Sequence, residues 1–457
     1  MEKLTIREIA QALKIPCPMD GEVQSICTDS RQITPGCLFV AIQGENFDGH
    51  DFVRGAIQQG AVCALVHHPG DYPEGRTLLV EDTLKALLAL SAWYRSKMPV
   101  RVVGVTGSVG KTTTKEMTAA VLSARFSTIK TQGNLNNEIG APKTLFTIEK
   151  DTQAAVVEMG MTGLGEIRDL ALAAKPEMGI ITNIGVSHLE RLGTRENILR
   201  AKLELAECLP DGAPLLLCGD NDLLQKVKIP RLSIIFYGID NQSCSICGTI
   251  KNTTPFSTGF SIAWEGKSYD AFIPGAGKHL VLAALAAFGA GVSMGMKPEE
   301  AVAALRDYTP SGMRQKVVEK GGVTVVEDCY NASPDSMAAA LDTLGRFPAA
   351  GRRIFVVSDM LELGESAPQL HYQVGEQAAQ SGVDLLLAWG ELSQELVRGA
   401  SEKGLQDARF FSQKEALTEA VLETVQPGDL VWFKGSRCMK LEEVVERLYQ
   451  KLDPQKD

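Results

Sequence analysis

The run Val100-Arg-Val-Val-Gly104-Val-Thr106-Gly107-Ser-Val-Gly110-Lys111-Thr112-Thr113 decides how the chain folds. An apolar strand feeds a glycine-rich turn, and a helix opens at Lys111. In that order the backbone N–H groups of the turn converge and the helix N-terminus adds positive potential, which makes a cradle for phosphate oxygens. Lys111 would reach the outer phosphates of a nucleotide and Thr112 would ligate Mg2+. Gly107, Ser108, Val109, Gly110 and Thr113 complete the cradle. The generic phosphate loop has a glycine five positions before Gly110, where this chain has Val105; its glycines stand at 104 and 107 instead.

Working outward, Ala154-Ala-Val-Val-Glu158 and Gly179-Ile-Ile-Thr-Asn183 are apolar runs of the buried-strand type, separated by helical segments. They predict a parallel sheet covered by helices. Glu158 ends its strand, as a carboxylate on the metal side of a nucleotide should; the plainer alternative is a helix-capping role in the next turn. His188 follows the next strand through Ile184-Gly-Val-Ser, and a lone histidine is ordinarily structural. Lys202 lies in the helical stretch Ala201-Lys-Leu-Glu204, where the default is a solvated surface charge.

Residues 1–97 predict a small α/β unit. Leu38–Ile42 and Ala61–Val66 read as strands and 83–97 as a helix, while Thr5 and Glu8 form a capping box. Beyond 311 the alternation is regular. Strands are expected at 323–327, 353–357, 383–388 and 429–433, with helices at 335–344, 370–380, 393–403 and 440–452. Repeated β-α units of this kind build a doubly wound domain. Pro310-Ser311-Gly312 is the natural boundary turn. The expected architecture is therefore α/β in three domains: 1–97, 98–310 and 311–457.

A length of 457 residues suits about three domains. With 44% hydrophobic and 22% charged residues, the chain is neither disordered nor a disulfide scaffold. A net charge of −10 argues against a nucleic-acid backbone or an anionic membrane as partner, though not against phosphate at a local site. The N-terminus carries no signal-peptide core. Leu280–Met296 is uncharged but rich in Ala, Gly and Ser, so it predicts a packed core helix ending near Gly289 or Gly291, not a membrane span. Of ten cysteines only Cys244 and Cys247 form a C-x-x-C pair, and no second pair completes a zinc site. Reduced thiols in a cytoplasmic monomer are the expectation.

Taken together, these residues resemble the Mur ligases, ATP-dependent amide ligases of peptidoglycan precursor synthesis. Thr-Gly-x-x-Gly-Lys-Thr-Thr is that superfamily's form of the phosphate loop, which accounts for Val105. The resemblance is carried by Asp29-Ser30-Arg31, Pro35 to Gly44, Asp48-Gly49-His50-Asp-Phe52, Asn134 to Gly140, Glu158-Met-Gly160 and Asn183 to Glu190. It continues through Asp328-Cys-Tyr330-Asn331 to Ser336, Asp359 to Gly364 and Lys434-Gly-Ser-Arg437. Ligases that add single amino acids usually have Tyr-Ala-His where this chain has Tyr330-Asn331-Ala332. The resemblance is thus to the branch that attaches D-alanyl-D-alanine to UDP-N-acetylmuramoyl-tripeptide.

The resemblance implies a small domain for the UDP-substrate, a phosphate-loop ATPase domain, and a Rossmann-like third domain that closes on both. It places Ser30, Arg31, Asp48, Gly49 and His50 on the UDP-substrate. Thr112, Glu158, His188 and Lys202 fall in the magnesium environment, Lys202 as a carbamate; a carbamate offers an anionic oxygen where an ammonium would repel the cation. Lys111, Glu158, His188 and Lys202 form the implied catalytic set. Asn137 matches a nucleotide-base contact, and Arg314, Asp328, Tyr330 and Asn331 match positions where the third domain meets ATP. The chain departs from the family where Leu280 follows Gly277-Lys-His279, where Ala283 stands in place of an asparagine, and where Ser358 replaces glycine. The rival readings are another ligase of this superfamily, folylpolyglutamate synthase, and a binding protein switched by a nucleotide. The first lacks an N-terminal domain carrying motifs such as those at 29–50.

Overall fold

Leu4–Thr5 pairs antiparallel with Glu22–Val23, and the rest of the fold is built on three larger sheets. The structure, a computed structural model, describes residues 1–452 except 18, 45, 311 and 348. Ser311 of the expected boundary turn therefore lies outside the described residues. The chain divides into two compact units. One comprises Met1–Thr106, Arg125–Ile180 and Ala201–Pro214; the other comprises Gly107–Ala124, Ile181–Arg200 and the chain from Leu215 onward.

In the first unit, Ser25–Cys27, Cys37–Val40, Cys63–Val66 and Thr77–Leu79 form a four-stranded parallel sheet in chain order. Phe39, Val53, Ala56, Ala61 and Ala64 pack on it as a small core. The capping box forms as predicted: Glu8 N donates to Thr5 Oγ1 at 3.1 Å and Thr5 N to Glu8 Oε2 at 2.9 Å, opening the helix Ile6–Leu13. Asp82 caps the helix Thr83–Ser96 by accepting from Leu84 N and Lys85 N. Arg101–Thr106, Ala154–Glu158 and Thr128–Lys130 run parallel, with Ala154–Glu158 in the middle.

In the second unit, Lys267–Pro274, Ser257–Trp264, Ile246–Thr254, Ser233–Gly238 and the strand Pro214–Cys218 follow one another in a sheet. The sequence reading expected parallel strands alone. Ile246–Thr254, Ser257–Trp264 and Lys267–Pro274 instead form an antiparallel meander. Its last turn is the two-residue loop Glu265-Gly266, with φ of 48° and 74°, between the paired residues Trp264 and Lys267. Positive φ at both positions is the primed turn that matches strand twist.

The helix expected to end near Gly289 or Gly291 runs from Lys278 to Ser293, through both glycines. They are packing positions. A Cβ on Gly289 would lie 2.5 Å from Leu216 Cδ2, and one on Gly291 2.8 Å from Val121 Cγ1. The left-handed residue beyond the helix end is Gly295, at φ 87°. Among the described residues no helix is long and apolar enough to cross a membrane.

The C-terminal sheet has six strands in the order Lys316–Lys320, Val323–Asp328, Leu430–Lys434, Arg353–Ser358, Leu385–Trp389 and Ala408–Phe411. All pairings are parallel except that of the edge strand Lys316–Lys320. Alternate residues serve opposite faces. Phe355, Val357, Leu386 and Trp432 pack against Pro334–Arg346, Ala367–Gln380 and Ser393–Glu402. Ile354, Val356, Leu387 and Phe433 pack against Lys414–Thr424 and Glu442–Leu452. Two apolar faces on one sheet are what the doubly wound reading requires.

Candidate functional site

In the second unit, the phosphate loop is held by the segment that follows the strand Met178–Ile181. Thr182 Oγ1 donates to Val109 O at 2.5 Å, Val109 N donates to Asn183 Oδ1 at 2.8 Å, Ser108 N to Asn183 O at 3.1 Å, and Gly185 N to Ser108 Oγ at 2.9 Å. Gly107 sits at φ 152°, and a Cβ there would come within 1.9 Å of Thr182 Oγ1, so only glycine allows the loop this close. Gly110, at φ 82°, opens the helix Lys111–Ser123. Lys111 Nζ donates back to Gly107 O at 2.8 Å and Ser108 O at 3.3 Å, and Thr112 is buried. Thr182 and the side chain of Asn183 were not singled out as functional from sequence; the polar pair closing an apolar strand beside the motif was the available signal.

His188 adopts φ 64°, and its Nδ1 lies 3.1 Å from Glu362 Oε2. That hydrogen bond holds the Glu362 carboxyl below the usual glutamate value. Nearby, Val186 N donates to Asp335 Oδ2 at 3.3 Å, and a Cβ on Gly185 would lie 2.0 Å from the same oxygen. Residues following the strand Met178–Ile181 thus touch loops of the C-terminal sheet.

Asp328 and Lys434 face each other in register at the C-terminal ends of adjacent parallel strands, where open α/β sheets bind ligands. Lys434 Nζ is 2.8 Å from Asp328 Oδ2 and donates to Asn331 O at 3.2 Å. The Arg314 guanidinium lies 4.1 Å from the Tyr330 ring centroid. His279 Nε2 is 2.9 Å from Gln315 Oε1, so a carboxamide does meet this histidine, from Gln315, while Ala283 is buried. Burial pushes His279 below the usual histidine value.

In the first unit, Glu158 ends its strand, is 1% exposed, and accepts from Asn136 Nδ2 at 2.8 Å. Asn137 Oδ1 accepts from Gly140 N at 2.9 Å, at the head of the helix Gly140–Phe146. Lys202, on the helix Arg195–Glu207, is 1% exposed. The solvated-lysine reading is therefore wrong: tertiary packing encloses a residue whose local sequence reads as surface. Two residues on, buried Glu204 accepts from Gly165 N and Arg168 N at the start of the helix Glu166–Ala174.

Arg31 grips Asp29 with Nε at 2.9 Å and Nη2 at 2.8 Å, which draws the Asp29 carboxyl down to about 2. Asp29 and Gln32, flanking Ser30 and Arg31, line a cleft of about 330 Å3 together with Gln24, Thr28, Lys143 and Thr147. Asp48, Gly49 and His50 are not among its lining residues. Asp48 accepts from His50 N at 2.9 Å, and its Oδ1 is 2.5 Å from His50 Nδ1. A Cβ on Gly49 would lie 2.6 Å from Ile42 N, so the turn needs glycine. Cys244 is buried with its thiol pushed up to about 11, and Cys247 Sγ donates to Cys244 O.

Three family models match the chain: "Mur ligase family, catalytic domain" over residues 22–95, "Mur ligase middle domain" over 105–291, and "Mur ligase, glutamate ligase domain" over 313–437. A Bacillus subtilis (strain 168) protein named UDP-N-acetylmuramoyl-tripeptide–D-alanyl-D-alanine ligase is 36% identical, covering 98% of this chain and 99% of its own. A crystal structure of MurF from Acinetobacter baumannii superposes with a TM-score of 0.91 at 31% identity, covering 98% of this chain and 99% of that one. A MurF ligase structure from Thermotoga maritima, in complex with ADP, gives 0.85 at 28% identity over 95% and 99%.

Proposed function

Because the chain belongs to the Mur ligase family, we propose that it joins D-alanyl-D-alanine to UDP-N-acetylmuramoyl-tripeptide, driven by ATP, in the cytoplasm and as a monomer. The observation that carries this reading is the tied-down phosphate loop at 107–113, in a chain that matches a ligase of that name from end to end. We assign the UDP-substrate to 1–97, ATP to 98–310 and the closing domain to 311–457.

In this reading the γ-phosphoryl group of ATP passes to the C-terminal carboxylate of the tripeptide. The amine of D-alanyl-D-alanine attacks the acyl phosphate, and the tetrahedral intermediate collapses to amide and phosphate. Positioning and charge neutralisation carry such a reaction. Lys111 exchanges the carbonyls of Gly107 and Ser108 for phosphate oxygens, so its cation is held in place before ATP arrives. Ser108, Val109, Gly110 and Thr113 cradle the phosphates, and Asn137 contacts the base. Arg314, Asp328, Tyr330 and Asn331 approach the nucleotide from the C-terminal domain, with Lys434 fixing Asp328 and Asn331. Ser30, Arg31, Asp48, Gly49 and His50 hold the UDP-substrate.

The donors assigned to Mg2+ suit a hard cation: the Thr112 hydroxyl, the buried Glu158 carboxylate and a carbamate on buried Lys202 all present oxygen. His188 is the one nitrogen donor in the set. Mg2+, when bound, stabilises the charge on the transferring phosphoryl group. The test is ADP release with ATP, UDP-tripeptide and D-alanyl-D-alanine, omitting each in turn and varying the third residue of the tripeptide between L-lysine and meso-diaminopimelate. Release that requires both acceptors is expected. Release that needs neither would make the chain a nucleotide-switched binding protein, and release driven by a folate would make it a folylpolyglutamate synthase.

A further inference from the structure

Three of the chain's six histidines meet at one place. His50 lies in the single-turn helix Gly49–Phe52, and His67 and His68 directly follow the strand Cys63–Val66. One ring nitrogen of each lies within 4.8 Å of those of the other two, and no other group of three histidine, cysteine or acidic side chains comes together this way among the described residues. The His50 ring stacks on His68 at 4.1 Å and meets His67 edge-on at 4.2 Å.

A histidine that binds a metal through one nitrogen is oriented by what its other nitrogen holds. Each ring here has such a partner. His50 Nε2 accepts from His67 N at 3.1 Å, His67 Nδ1 is 3.4 Å from Thr83 Oγ1, and His68 Nδ1 is 3.1 Å from Pro69 O and 3.3 Å from Tyr72 Oη. The nitrogens left over on His50 and His68 converge on one carboxylate: His50 Nδ1 is 2.5 Å from Asp48 Oδ1, and His68 Nε2 is 3.7 Å from Asp48 Oδ2. The His50 side chain is 2% exposed and that of His68 44%, so the cluster has a buried floor and an open side through which an ion can enter.

We propose that His50, His67, His68 and Asp48 bind one Zn2+ ion. Three imidazoles and one carboxylate are the donor number and type that four-coordinate zinc takes, whereas Mg2+ and Ca2+ prefer all-oxygen sets. Binding would displace the proton that His50 Nδ1 and Asp48 Oδ1 share at 2.5 Å and part those two atoms to ligating distance, so it releases a proton to solvent. It links the turn at 48–52 to the end of the neighbouring strand and stiffens that turn. The site shares Asp48 and His50 with the residues assigned to the UDP-substrate, so its test reads Zn2+ binding and not ligation, and variants are made only at His67 and His68.

The test is a titration of the full, chelator-stripped chain with Zn2+ against a chromophoric competitor, in excess Mg2+. One equivalent per chain is expected, with Co2+ giving the visible absorption of a four-coordinate ion. His67→Gln and His68→Gln should each weaken Zn2+ binding by at least about tenfold, and the double variant should abolish it. Zn2+ should raise the unfolding temperature of the parent and not of the double variant. Absence of stoichiometric uptake, or equal uptake by a double variant with the parent's circular dichroism, overturns the proposal. If the double variant does not fold, His68→Gln alone decides, since its side chain is 44% exposed and tolerates the change: parent-like affinity overturns the site.

Discussion

Replacing Lys202 by alanine separates a buried metal ligand from an ordinary helical lysine in two independent readouts. The side chain is 1% exposed, so the substitution removes three methylenes and the head group from the interior. At about 0.8 kcal/mol per methylene the transfer loss is about 2.4 kcal/mol. Incomplete collapse of the cavity brings such substitutions to about 2–5 kcal/mol. In a unit of this size each kcal/mol moves the midpoint by roughly 2–4 °C, so calorimetry should show a drop of about 4 °C or more. A solvated lysine would change stability by no more than about 0.5 kcal/mol. Activity should fall further than stability explains. Losing an anionic metal ligand removes several kcal/mol of charge stabilisation, on the order of a hundredfold or more in kcat/KM. Acetate or formate should then restore part of the ADP release in a concentration-dependent way, by presenting oxygens in the vacated space. The same anions should do nothing for Lys111→Ala, which lacks a cation. Full activity with an unchanged midpoint would refute both the burial argument and the carbamate assignment.

Lys111→Ala should lower kcat/KM by about 10²–10⁴-fold, the worth of two charge-assisted hydrogen bonds at about 1.5–3 kcal/mol each. Its melting temperature should stay close to the parent's, because Lys111 Nζ donates to Gly107 O and Ser108 O of its own loop; an active variant sinks the phosphate-loop assignment. Arg31→Ala should raise the KM for UDP-tripeptide about tenfold to a hundredfold and leave that for ATP unchanged; an equal rise in both argues against the N-terminal assignment. Glu8 has its carboxyl lowered from 4.5 to about 2, first by the hydrogen bond from Lys97 and then by that from Thr5 N. A depressed folded pKa gives stability that is present above about 4.5 and is lost as pH falls toward about 2. Protection of the amides over 6–13, corrected for the intrinsic exchange rate, should therefore fall across that window in the parent, and Glu8→Gln, which loses the charge paired with Lys97, should show the lower protection already at pH 6.

Local order carried the sequence reading as far as it went. The glycines at 107 and 110 with Lys111 announce a strand, turn and helix because each position needs a particular φ or charge, and the structure places them so. The C-terminal alternation was legible because its central strands are apolar on both faces. Strands that are half exposed were not. Lys316–Lys320 and Ala408–Phe411 lie at sheet edges, and Ile246–Thr254 carries polar residues through most of its length. The helix Lys414–Thr424 was likewise missed. Burial of Lys202 is a tertiary fact that its charged neighbours conceal. The meeting of His50 with His67 and His68 depends on neighbouring parallel strands, across a sequence separation that no short motif spans.

The Glu265-Gly266 turn of the meander gives the chain a natural attachment point. Both residues are exposed, a Cβ on Gly266 would meet no atom within 4 Å, and the flanking strands pair with each other up to Trp264 and Lys267. A short peptide spliced between 265 and 266 would project into solvent and replace only a tight turn, at a loop-closure cost that grows slowly with length. An epitope, a biotin acceptor or a fluorescent-dye sequence placed there would let the chain be tethered or tracked while ligation is measured, without touching the phosphate loop or the histidine cluster.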